Sequence, residues 1–123
     1  TEAKLASGDA AAQPIGANLA QARDAFETAL NWMLENSRKD IDATFAGSVP
    51  FLMLSGTLAA GWALAKGALA AQTARDAGQD NVFLAQKIAT AQFYARHILP
   101  ECTTEQTRIL HGAQCALDAA FSD

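Results

Sequence analysis

A chain of 123 residues, half of them hydrophobic and 18% charged, is long enough for one domain with a core of its own. Its net charge of −4 and the lack of any Lys/Arg cluster argue against nucleic acid as a partner, because phosphates need clustered cations. The two cysteines, Cys102 and Cys115, are too few for a disulfide framework and stand in no zinc-ligand spacing, so both are expected as free thiols of a cytoplasmic protein.

Residues 1–15, TEAKLASGDAAAQPI, carry no apolar period and include Gly8 and Pro14. They read as a linker or frayed approach to the domain at 16–123, with at most a short helical turn around Ala3–Ala6. The start at Thr1, without methionine, suggests a piece of something longer.

The first helix is expected at about 17–36. Leu19, Ala22, Phe26, Ala29 or Leu30, and Met33 recur at three- and four-residue steps on one stripe, with Trp32 at its edge. A second helix is expected at 41–77, kinked near Pro50, because Ile41, Phe45 and Val49 keep the helical step through the proline. The alternative makes Ser48 the cap and puts Pro50 in the first turn. Asp40 or Asp42 could cap the start, and Gly78 is a good stop.

Within this second helix, Val49–Ala71 carries the single charge Lys66 and is apolar on every side. That composition suits either the central helix of a bundle or a membrane span. Gly56, Gly61, Ser55, Thr57 and the absence of aromatic or basic flanks favour the bundle, so no membrane partner is expected. Leu52, Leu58, Trp62 and Leu69 are then interior, and Lys66 is a surface lysine lying along the helix.

The third helix is expected at 81–99, capped by Asp80 and ended by Pro100, with Leu84, Ile88, Ala91, Ala95 and Ile98 as a seam. Phe93, Tyr94 and His97 sit beside that seam and widen the apolar surface, so this helix should touch two neighbours. The fourth, at 104–121, opens on Thr103 and Gln106 at capping-box spacing and buries Ile109, Leu110, Ala113, Ala116, Leu117 and Ala120. No strand pattern appears. The economical fold is all-α, an antiparallel up-down four-helix bundle.

Chemistry is scarce. A di-metal carboxylate site in a bundle needs Glu-x-x-His pairs, and the chain has none. His97 and His111 could approach across a hairpin, but no carboxylate or cysteine is poised to complete a metal site. Neither histidine has a serine in a sharp turn or a helix N-terminal cysteine nearby, and no glycine-rich phosphate loop occurs. No catalytic, cofactor-binding or metal residue is expected here.

Read together, Pro50-x-Leu52, Gly56, Gly61-Trp62, Lys87-Ile88, Ala91-x-Phe93-Tyr94-x-x-His97-x-Leu99-Pro100 and Gly112-Ala113 resemble the extra C-terminal helical domain of the long acyl-CoA dehydrogenases that act on methylthio-substituted acyl-CoAs. The resemblance covers about 17–121. It implies a parent flavoprotein that carries FAD and oxidises acyl-CoA between Cα and Cβ, a glutamate removing the α-proton while the flavin accepts hydride. In that family those groups belong to the preceding domains, and none maps onto this sequence. What the resemblance leaves for this chain is packing on the dehydrogenase core or a subunit interface, within a homo-oligomer. Trp62, Phe93, Tyr94 and His97 are the candidate contact residues. A free-standing helical module that self-associates through an apolar face is the other reading.

Overall fold

A computed structural model of the chain describes residues 1–6 and 12–121. The helices are α1 (Glu2–Ala6), α2 (Gln13–Lys39), α3 (Ile41–Ala46), α4 (Ser48–Asp76), α5 (Val82–His97) and α6 (Glu101–Phe121), with no strand among the described residues. Both α1 and the start of α2 fall where a linker was expected. Pro14 stands in the first turn of α2, where a missing N–H and a fixed φ favour a helix start. Leu5 and Ile15 are both buried, which ties this lead into the core.

Local chemistry sets the other boundaries. Asp40 has an extended backbone that ends α2, and its side chain accepts from the Ala43 N–H at 3.0 Å to cap α3. The expected continuous helix at 41–77 is therefore two helices, α3 and α4, divided at Gly47. Pro50 cannot donate to the carbonyl four residues back, and its ring crowds that carbonyl, so the division falls just before the turn that holds it. Gly78, at φ 92°, closes α4 in a Schellman arrangement: Gly78 N–H bonds Arg75 O at 2.9 Å and Gln79 N–H bonds Ala74 O at 3.0 Å. Asn81, one residue beyond the expected Asp80, caps α5 by accepting from Leu84 N–H at 3.0 Å. Tight turns through Ile98-Leu99-Pro100 start α6 at Glu101, upstream of the expected Thr103 cap.

The core is built largely from small residues. Ala22, Ala25 and Ala29 of α2, Ala65, Ala68 and Ala71 of α4, and Ala91 and Ala95 of α5 are all buried. Leu19, Leu54, Leu99, Cys102 and Ile109 supply most of the bulk. Helix α4 packs against α2, α5 and α6, while α2 also reaches α5 and α6. At the closest point Gly61 faces Leu99, and a Cβ there would lie 2.5 Å from Leu99 Cδ2.

The expectation that α4 is enclosed on all sides fails. Leu54, Gly61, Ala65, Ala68 and Ala71 form its buried seam, whereas Leu52 is 69% exposed and Trp62 49%. Leu58 and Leu69 are half-buried. Each helix of such a packing covers one stripe of its neighbour, so an all-round apolar helix keeps a face uncovered.

Gly61→Val should destabilise the chain by about 1–3 kcal/mol through overpacking against Leu99, measured by urea unfolding. An unchanged midpoint would show that the contact of α4 with Leu99 is looser than described.

Candidate inter-domain contact surface

Two side chains join α5 and α6 to the backbone of α4. The Tyr94 hydroxyl donates to Thr57 O at 2.9 Å, and the Cys102 thiol lies 3.8 Å from Leu54 O. A helical carbonyl keeps a second lone pair, so these bonds form without breaking the α4 ladder. Burial raises the Tyr94 phenol above its ordinary value, reinforced by Cys102 and Glu101. Burial also pushes the Cys102 thiol up to about 11, with Glu101 and Glu105 adding to it. A thiol so held is inert as a nucleophile. Tyr94 thus faces inward with its hydroxyl engaged, and only its flank is available to a partner.

Phe93 is 60% exposed and stacks on His97, with ring centroids 4.7 Å apart and planes at 29°. Both stand on the outer side of α5, and His97 with Arg96 suits the negative end of the helix. Trp62 belongs to a different place. Lys66 Nζ sits 4.4 Å over its ring, a cation–π contact that keeps the ammonium at the surface as expected. The four candidate residues are therefore divided among an inward anchor, an α5 pair and an α4 aromatic.

Sequence reasoning missed an apolar groove of about 630 Å³ between α2 and α4. Leu19, Phe26, Phe51, Leu58 and Trp62 line it, and Phe26 stacks on Phe51 at 5.5 Å. Small residues bring the helices close along Gly61–Ala71, and the groove lies off that seam. The signal for the groove was the aromatic pair, with Phe26 on the α2 stripe and Phe51 beginning the apolar run. At its rim Arg23 is engaged by Glu2 and by Asp24, the latter at 3.1 Å. Among the described residues no three His, Cys, Asp or Glu side chains are grouped to hold a metal. His97 and His111 are both exposed. By length and composition Ser48–Asp76 could cross a membrane, although part of it packs into the core.

A family model described as "Acetyl-CoA dehydrogenase C-terminal like" matches residues 1–120. The 3-methylmercaptopropionyl-CoA dehydrogenase of Ruegeria pomeroyi is 46% identical over 121 residues, 98% of this chain and 21% of that protein. The broad-specificity linear acyl-CoA dehydrogenase FadE5 of Mycobacterium tuberculosis is 37% identical over 82 residues, 62% of this chain and 13% of that protein. The chain thus spans about a fifth or less of the length of these relatives. No solved structure gives a significant match.

The two thiols provide a check on the geometry. Iodoacetamide should modify exposed Cys115 in the native chain and reach buried Cys102 only on unfolding. Because folding raises the Cys102 pKa, its contribution to stability is whole below the ordinary thiol value and is lost as pH climbs through about 11. The melting temperature should fall across that interval, and Cys102→Ala should remove that component of the fall.

Proposed function

The chain belongs to the acetyl-CoA dehydrogenase C-terminal-like family, and from that premise we propose that it is a non-catalytic C-terminal helical domain of a FAD-dependent acyl-CoA dehydrogenase. The observation that carries this reading is the asymmetry of the match: 98% of this chain aligns with only 21% of a dehydrogenase. A module so related supplies part of a larger enzyme. The parent oxidises an acyl-CoA between Cα and Cβ in the cytoplasm, using groups that lie outside this chain.

The described residues do not fit a flavin dinucleotide. A pyrophosphate needs cations or a glycine-rich turn of backbone N–H groups. The α2–α4 groove offers Arg23, which is already engaged by Glu2 and Asp24, among mainly apolar walls. FAD therefore belongs with the other domains of the parent.

In this reading the four long helices, α2, α4, α5 and α6, form an antiparallel up-down bundle across residues 16–123. The incoming segment is then the part before Gln13, some of it folded as α1, since 13–15 already form the first turn of α2. The domain packs on the dehydrogenase core or at a subunit interface of a homo-oligomer, with Trp62 and the Phe93–His97 pair at its contacts and Tyr94 supporting them from inside. The exposed rings favour this, since each presents apolar area beside a polar or cationic partner, a pattern common at interfaces.

The purified chain should show no flavin absorbance. The full-length parent should carry flavin that bleaches on addition of an acyl-CoA, and Trp62→Ala or Phe93→Ala should weaken its assembly or flavin retention. A parent without flavin would end the proposal, whereas unchanged assembly and flavin content in both variants would remove these rings from the contact.

A further inference from the structure

The outer side of α4 and its approach through α3 leave an apolar surface uncovered. Phe45, Val49, Leu52 and Met53 are 68%, 66%, 69% and 56% exposed. At the helical step Val49, Leu52 and Met53 lie on the side of α4 turned away from the buried seam of Leu54, Gly61 and Ala65. Gly56, Ala60, Ala63 and Gly67 continue the same face at steps of four, three and four, so the strip runs about 27 Å from Val49 to Gly67. No charged residue occurs between Asp42 and Lys66.

The two glycines of this face are unexplained by the domain itself. A Cβ at Gly56 or Gly67 would meet nothing within 4 Å, in contrast to Gly61, whose Cβ would strike Leu99. Glycine inside a helix weakens it relative to alanine; Gly67 is half-buried in a recess beside Phe83, Gln86 and Thr90 of α5, whereas exposed Gly56 suits a body outside this structure that comes close to the α4 backbone.

We infer that the outer face of α4 is the seat of the parent's own dehydrogenase region, packed in the same polypeptide. This rests on the function proposed above. About four-fifths of the Ruegeria relative lies outside the match, so a large folded mass is available. On that reading the preceding chain arrives through α1, whose Glu2 and Ala3 share one shallow recess with Arg23 of α2 and Trp62, on the flank of α4 next to the strip. The tether thus delivers the preceding domains beside α4, at the high effective concentration of an intramolecular partner, which a second copy lacks. A membrane surface is less suited. The cations near the strip are few: Arg38 and Lys39 at its start are offset by Asp40 and Asp42, and Lys66 and Lys87 at its far end lie over the rings of Trp62 and Phe83.

Met53 reports on the face without mutation. In the native full-length parent, hydrogen peroxide should oxidise Met53 about tenfold more slowly than in the same protein unfolded in urea, at a rate independent of protein concentration. Gly56→Leu, whose side chain meets open space within this domain, should raise Met53 oxidation to the unfolded rate while far-UV circular dichroism keeps the helix signal. Native Met53 oxidised as fast as unfolded, or still protected in Gly56→Leu, overturns the inference. So does protection lost on dilution, which means a second copy, or protection seen only with phosphatidylcholine–phosphatidylglycerol vesicles, which means lipid. Flavin absorbance of the same sample separates the two levels: flavin present with Met53 unprotected sinks the docking face alone, and flavin absent sinks the function on which it rests.

Discussion

The fold depends on how thin α4 is along one edge. Gly61, Ala65, Ala68 and Ala71 present almost no side chain to their neighbours, so α2, α5 and α6 come close to the α4 backbone. Close approach then makes backbone carbonyls usable as tertiary partners. Tyr94 and Cys102 reach Thr57 and Leu54 only because nothing bulky stands between. Burial raises the proton affinity of both groups and keeps them neutral, the state in which they can donate. Packing and polar anchoring are thus one feature, set by small residues at helical spacing.

A core rich in alanine buries little apolar area per residue, and several bulky hydrophobics stand outside it. Leu52, Met53, Val49 and Phe45 stand on the uncovered side, and Trp62 and Phe93 are held at the surface by Lys66 and His97. Exposed apolar side chains grouped in this way offer a surface for contact. Its ionisable groups lie on polar faces or in satisfied pairs such as Arg108 with Glu105, at 2.6 Å, and no buried side-chain polar atom among the described residues lacks a partner. The chain belongs to a family whose relatives are several times longer than it is.

Much of this was legible in the sequence. Three- and four-residue steps identified the long helices, and Asp40, Gly78, Asp80 and Pro100 marked most ends to within a few residues. The family was legible too, from the run around Phe93-Tyr94-Ala95 through His97 and Leu99-Pro100. The errors are instructive. Pro14 was read as a breaker, although in a first turn the same ring promotes the helix, and hydropathy alone cannot tell which side of a proline the helix lies on. The bend expected at Pro50 became a division at Gly47, because Pro50 affects the carbonyl a turn before it.

Sequence by itself determined the class of structure and the helical register, since these follow from local spacing and residue chemistry. Only the tertiary structure decided which of α4's apolar faces is buried. Hydropathy scored Leu52 and Leu54 alike, yet one is exposed and the other enclosed. Side-chain bulk at Gly61, Ala65 and Ala68 steers the neighbouring helices to one side, and that choice is made between helices, beyond the reach of any single segment's pattern.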